Sequence, residues 1–292
     1  MARRLAVIVN PTAGAGKARA ALPRIRAELE RMQADFQVIE TSSAEHARTE
    51  AAAARDRGES VGALGGDGLV GTIAGVLCRS ETPLAVLPGG RGNDLARVLG
   101  IPTEPEAAAR VAVEGVEKPI DVAEVDGTSY VGIASCGFDS DANRIANDAK
   151  LVRGNLVYLY AALRALAAWR HATFEVTVDG ERHEISGYSV IVANSKAYGG
   201  GMFVVPHAEL DDGLLDVMLS GASSKLHFLR SLPKLFNGSH VDDPNLRFIR
   251  GEEVQVSADR PFMVYADGDP IGELPVHVRV ARQALRVLVP AS

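Results

Sequence analysis

The sequence predicts an α/β region followed by a β-rich one: an N-terminal doubly wound, mostly parallel sheet and a C-terminal, mostly antiparallel β-sandwich. Three observations predict it. Up to Ile101-Pro102, short apolar runs alternate with helical patterns, which is the mark of βαβ units. Three of those runs end in polar, glycine-bearing turns, at 10–17, 65–69 and 88–94. Beyond about residue 120, most segments are short apolar runs separated by turns, as in a sandwich.

Leu5 to Val9 is a β-rich run closed by Asn10-Pro11, and a helical pattern follows to about Arg31. Phe36 to Ile39 is a second strand. Thr41-Ser42-Ser43 offers capping hydroxyls before an alanine-rich helix that reaches Arg57. Val61 to Leu64 is a third strand, followed by the glycine turn and a helix from Val70 to Leu77. Leu84 to Leu87 is a fourth strand, with a helix at Leu95 to Val98 and another at Glu104 to Val113. The C-terminal part reads as strands near 120–122, 130–134, 173–178, 188–193, 214–219, 254–257, 262–265, 276–280 and 285–289, with helical stretches near 155–170 and 224–237. In open α/β sheets ligands bind beyond the carboxyl ends of the strands. The three turns lie at such ends and converge on one crevice.

The chain has 292 residues, 47% hydrophobic and 23% charged, enough for a sizeable core and against global disorder. A net charge of −6 excludes the basic stripe of a nucleic-acid binder and a polybasic membrane anchor. Cys78 and Cys136 do not make a disulfide framework and fit a reduced, cytoplasmic setting. The apolar run at Leu5 is too short for a signal peptide, and 156–169, interrupted by Arg164, is too short to span a bilayer. That run reads as a core helix or as an interfacial contact. The seven histidines show no zinc spacing.

Leu64-Gly65-Gly66-Asp67-Gly68-Leu69-Val70-Gly71 organises the first region. Backbone N–H groups at the start of a helix attract anions, and glycine lets the chain approach a phosphate. Gly66-x-Gly68-x-x-Gly71 matches a dinucleotide fingerprint. However, it sits in the third unit, and Asp67 would repel a pyrophosphate unless a metal intervened. Gly14-x-Gly16-Lys17 lacks the first glycine and the Ser/Thr of a P-loop. Asp267-Gly268-Asp269 has the composition of a hairpin turn.

Asn10-Pro11 with Gly14, then Gly65-Gly66-Asp67-Gly68, then Pro88-Gly89-Gly90-Arg91-Gly92-Asn93-Asp94-Leu95-Ala96-Arg97 resemble the signature blocks of the diacylglycerol kinase catalytic family. Gly199-Gly200-Gly201-Met202, the run from Pro206 to Asp216, and Tyr265-Ala266-Asp267-Gly268-Asp269 continue the resemblance through nearly the whole chain.

The resemblance implies phosphoryl transfer from ATP, with Mg2+, to a lipid hydroxyl in a cleft between two domains. One domain is 1–120 with a returning segment at about 282–292; the other is 121–281. It implies phosphatidic acid made from diacylglycerol, in phospholipid biosynthesis, by a cytoplasmic enzyme that meets the membrane surface transiently; it leaves a homodimer open. Asp269 would be the general base, with Asp267 as its rival. Asp67 would face the magnesium ion, and Asp121 would order a water and magnesium network. Asn10, Thr41, Gly65, Gly66, Gly68, Gly90, Arg91 and Asn93 would surround the nucleotide. Asp212, with the carbonyls of Glu209 and Leu214, would hold a structural magnesium ion.

Three positions depart from the family pattern. Leu69 and Arg91 stand where threonine is usual, and Asp269 stands where glutamate is. The departures keep alternatives open: a kinase of a sphingoid base or a polar small molecule, or a degenerate nucleotide- or lipid-binding regulator.

Overall fold

The structure, a computed structural model, describes residues 4–148 and 163–291. Strands β1 (Leu5–Val9), β2 (Phe36–Glu40), β3 (Ser60–Gly65) and β4 (Leu84–Pro88) run parallel in the order β4-β3-β1-β2. β1 and β3 are buried at every position, as strands of a parallel sheet covered on both faces must be. Alternate side chains of β1 serve the two faces. Ala6 and Ile8 pack with α2 (Ala44–Asp56) and α3 (Asp67–Leu77). Leu5, Val7 and Val9 pack with α1 (Ala13–Arg31) and α5 (Pro105–Glu114). Ala47, Ala51 and Ala54 form the buried stripe of α2, and Ser43 Oγ caps that helix by accepting from His46 N.

The remainder is mainly antiparallel. It contains β5 (Val116–Val125), β6 (Thr128–Tyr130), β7 (Ile133–Gly137), β8 (Ala172–Val178), β9 (Glu181–Ala193), β10 (Leu215–Gly221), β11 (Leu246–Gly251), β12 (Glu253–Ala258), β13 (Met263–Ala266), β14 (Asp269–Glu273) and β15 (Val276–Val289). The described residues also form α4 (Asp94–Val98), α6 (Phe138–Asp148) and α7 (Lys225–Ser231), with 3₁₀ turns at Leu232–Phe236 and Ser239–Asp242. Strands β7 to β13 close on an aromatic core. Phe138 meets Trp169 edge-on at 5.8 Å, and Tyr188 stacks on Trp169 at 6.2 Å and on Phe228 at 4.1 Å. Of the apolar stretch at 155–169, residues up to 162 lie outside the described residues; 163–168 are helical, with Leu166 and Trp169 buried in this core. No described helix is long and apolar enough to cross a membrane.

Strand β15 joins the two halves. It pairs antiparallel with β12 and β5 and, at Val287, parallel with Leu84 of β4, so hydrogen bonding links the fifteen strands of the described residues in one mixed sheet. The two strands expected at 276–280 and 285–289 are one strand, bulged between Ala281 and Leu285. Asp121 explains the bulge. It is 1% exposed, and its carboxylate accepts Gln283 N at 2.6 Å and Gly213 N at 2.7 Å. Asp121 is the residue expected to order a water and magnesium network; in the fold its two oxygens fasten backbone, one from the bulge and one from the 209–214 loop.

Removing the Asp121 carboxylate orphans two buried N–H groups. Asp121→Ala should therefore lower the unfolding free energy by on the order of 3 kcal/mol, taking 1–3 for each orphaned group, as measured by urea denaturation.

Candidate active site

Three turns at the carboxyl edge of the parallel sheet interlock through glycine. Asn10 N donates to Leu64 O at 3.0 Å and Gly89 N to Gly65 O at 2.8 Å, which sets the turns side by side. A Cβ at Gly66 would lie 3.3 Å from Gly90 Cα, and one at Gly14 would lie 2.5 Å from Gly89 O. Side chains at these positions would force the turns apart. Gly14, Ala15 and Gly16 all take positive φ (59°, 59° and 93°), so the chain makes a left-handed turn before α1 proper begins at Lys17.

Asp67 ties the second turn to the third. Its Oδ2 accepts Asn93 N at 3.0 Å and its Oδ1 accepts Asp94 N at 2.7 Å, so one carboxylate caps the start of α4. Asp94 lies beside it: a Cβ on Gly92 would sit 2.5 Å from Asp67 Oδ2 and 3.1 Å from Asp94 Oδ2. Asp94 Oδ2 accepts Gly200 N at 2.9 Å, while its Oδ1 is buried with no partner. Burial raises the Asp94 pKa; the Gly200 N–H opposes this, and the charge of Asp67 adds to it.

These groups line a crevice of about 1060 Å³ between the turns and the second half of the chain. Lys17 and Arg91 face into it, and neither is ion-paired among the described residues. On the far wall, Asp267 accepts Val131 N (3.1 Å), Gly132 N (3.2 Å) and Ile133 N (3.0 Å). Asp267 and Gly268 both have positive φ (51° and 94°), the pattern of a two-residue hairpin turn between β13 and β14. Burial pushes the Asp267 carboxyl up to about 6, against the pull of its three N–H partners and with the help of Asp67. Asp269, the first residue of β14, is exposed, and its Oδ2 lies 3.8 Å from where a Cβ of Gly68 would be. The hairpin therefore carries Asp269 to the start of α3.

Of the expected site residues, Asp67 and Arg91 line this crevice, Asp269 adjoins it through Gly268 and stands over Gly68, and the glycines at 65, 66, 68 and 90 form its supporting turns. The side chains of Asn10, Thr41 and Asn93, expected around a nucleotide, bond within the turns rather than line this crevice. Asn10 Oδ1 accepts Thr12 N and Oγ1, and Thr41 Oγ1 donates to Val9 O at 3.0 Å. Asn93 bonds Gly90 through both ends of its amide. Short polar side chains at strand ends satisfy nearby backbone first. At the loop expected to hold a structural magnesium ion through Glu209, Asp212 and Leu214, Arg250 pairs with the Asp212 carboxylate and reaches Asp216 Oδ1 at 3.1 Å, while Asp212 Oδ1 accepts Leu214 N at 3.0 Å. Here the cation is a guanidinium. Asp94, Lys17 and Gly200 stand inside motifs read from the sequence but were given no site role there. For Asp94 the signal was its place directly after Asn93 in the third glycine block.

Residues 4–125 match the model of the diacylglycerol kinase catalytic domain, and residues 132–289 match that of the YegS C-terminal NAD kinase beta sandwich-like domain. A Mycobacterium tuberculosis (strain H37Rv) protein named diacylglycerol kinase is 33% identical over 295 residues, 98% of this chain and 95% of its own. The chain belongs to the diacylglycerol kinase family. A Bacillus subtilis diacylglycerol kinase is 28% identical to this kinase, covering 94% of it and 92% of the relative. A crystal structure of a diacylglycerol kinase from Bacillus anthracis shares the fold, with a TM-score of 0.78 at 22% identity over 99% of this kinase and 97% of that chain.

Leu69, in place of the family's threonine, is a core residue of the kinase. It is 8% exposed, packs in the cluster of Val70, Ile73 and Leu77, and lies 2.7 Å from where a Gly65 Cβ would be. Leu69→Thr should cost about 2–3 kcal/mol of stability through lost packing and a buried hydroxyl, read by chemical denaturation. For Asp267 the sign follows from linkage. The folded carboxyl holds its proton to about pH 6, the unfolded one only to about 4. Stability contributed by this group therefore falls as pH rises through that window. Asp267→Asn removes the step, so its stability relative to wild type should climb from about pH 4 to about 6 and then stay level. Urea titrations at several pH values measure the difference.

Proposed function

We propose that this kinase transfers the γ-phosphoryl group of ATP to the free hydroxyl of diacylglycerol, forming phosphatidic acid. The observation that carries the reading is Asp269: an exposed carboxylate with Oδ2 3.8 Å from where a Cβ of Gly68 would be, adjoining the hairpin residues Asp267 and Gly268 that line the crevice together with the unpaired cations Lys17 and Arg91. We propose a nucleotide half of 1–120 with 282–292 and a lipid half of 121–281, the crevice lying between them.

In this reading, backbone N–H groups of Gly66 and Gly68 and the side chains of Lys17 and Arg91 hold the phosphates. The acceptor oxygen forms its bond to the γ-phosphorus as the bond from phosphorus to the β–γ bridging oxygen breaks and ADP leaves. The acceptor proton passes to the Asp269 carboxylate. Phosphoryl transfer needs chiefly alignment and charge neutralisation, and the crevice supplies both.

A magnesium ion fits the residues present. The buried, unpartnered Asp94 Oδ1 and the adjacent Asp67 carboxylate are hard oxygen donors. Among the described residues no three His, Cys, Asp or Glu side chains converge, so the ion would complete its shell with water and phosphate oxygens. Bound there, it would neutralise charge on the phosphates. Asp67 and Asp94 would hold it.

With diacylglycerol in mixed micelles and radiolabelled ATP, the wild type should yield labelled phosphatidic acid. Asp269→Asn should cut turnover by about 10²-fold or more while ATP still raises the melting temperature as in wild type. Retained turnover would remove Asp269 from the mechanism, and labelling of no lipid would remove the lipid-kinase reading.

A further inference from the structure

The chain carries 37 acidic and 31 basic residues, yet from Val217 to Val241 there is not one Asp or Glu. Within that stretch lie Lys225, Arg230 and Lys234, all exposed. Among them stand Leu226, Leu229 and Phe236, exposed by 55%, 37% and 60%. These are half of the six large apolar side chains that the described residues leave exposed. Leu226 and Leu229 are three apart on α7 and so share a side of it; α7 has no buried residue at all.

The segment is nonetheless held firmly. Phe228 stacks on Tyr188 at 4.1 Å, and Lys225 Nζ donates to Ala167 O at 2.7 Å, which brings α7 against the helical residues 163–168 and exposed Leu163. The last residue of the patch, Phe236, also lines the crevice that holds Asp67 and Asp267. An apolar and cationic segment, whose His227 pairs with Asp243 at 2.6 Å, thus abuts the mouth of the candidate active site.

We propose that α7 and the 3₁₀ turn after it form the docking surface of this chain for a bilayer containing anionic lipid. Apolar tips enter the headgroup boundary while the three cations meet lipid phosphates. The charge distribution selects this occupant. A chain of net charge −6 is repelled by an anionic surface except where its acids are absent, so this segment sets the approach and turns the crevice mouth toward the membrane. The inference builds on the lipid-kinase reading, which requires an acceptor drawn from the bilayer.

The test is co-sedimentation of the full chain with phosphatidylcholine vesicles, with and without phosphatidylglycerol. Binding should require phosphatidylglycerol and weaken with added salt. An Arg230→Glu/Lys234→Glu variant should partition at least about tenfold less onto those vesicles, and Leu226→Glu/Leu229→Glu should lose binding. Both should melt as wild type does and keep wild-type turnover on a monodisperse short-chain diacylglycerol. Val113→Glu, at an exposed apolar position of α5, should bind as wild type. Docking is overturned if both patch variants bind normally, if neutral vesicles bind equally well, or if Val113→Glu is equally impaired. Vesicle binding as expected with no lipid phosphorylated would uphold docking and sink the lipid-kinase reading. Phosphorylation with normal binding by the patch variants would sink docking alone.

Discussion

The crevice depends on one carboxylate. Asp67 begins α3 and at the same time accepts the first N–H groups of α4, so the turns after β3 and β4 cannot move independently. The glycines at 66 and 90 allow the contact by leaving no Cβ between them. Everything else in the site is referred to this junction. Asp94 is delivered beside Asp67, Arg91 projects from the turn so fixed, and Asp269 descends onto Gly68. The charge of Asp67 raises the proton affinity of both Asp94 and Asp267. The site thus carries mutual carboxylate repulsion in the free protein, and a polyphosphate with its cation would relieve it.

Coupling between the halves rests on a second carboxylate used in the same way. Asp121 lies on β5, yet it fastens the bulge of β15 and the 209–214 loop. β15 in turn runs from the antiparallel part to the edge of the parallel sheet. The walls of the crevice are therefore parts of one hydrogen-bonded sheet, with the hairpin that carries Asp267 and Asp269 at its far end.

Much of this was legible in the sequence because its causes are local. Four parallel strands follow from apolar runs ending in polar turns, and glycine at 14, 66 and 90 marks places where turns must touch. What was illegible depends on long-range contact. β11 and β14 offer few apolar residues in alternation, and α6 reads as polar because Asp139, Asp141, Asn143 and Asp148 interrupt it. The split of β15 into two strands was a misreading of a bulge whose cause, Asp121, lies 162 residues away. The same holds within the site. The types and positions of Asn10, Thr41 and Asn93 suggest a nucleotide lining, and only the folded turns reveal the neighbours that Asn10 Oδ1, Thr41 Oγ1 and the Asn93 amide already bond.

The departures from the family pattern also resolve into geometry. Leu69 lies on the buried side of α3, folded back over Gly65, so the substitution that removes a hydroxyl adds packing beneath the turn that must stay rigid. Arg91 extends from the neighbouring turn into the crevice and supplies charge from a position that does not compete for core space. Asp269 is one methylene shorter than glutamate, yet it need not reach far. The left-handed pair Asp267-Gly268 turns the chain tightly and sets the start of β14 over Gly68, where the absence of a side chain leaves the carboxylate 3.8 Å from the position a Cβ would take. A bulkier residue at 68 would close that approach. The glycine thus has two uses: it exposes backbone N–H groups to an anion and leaves room for the acid opposite.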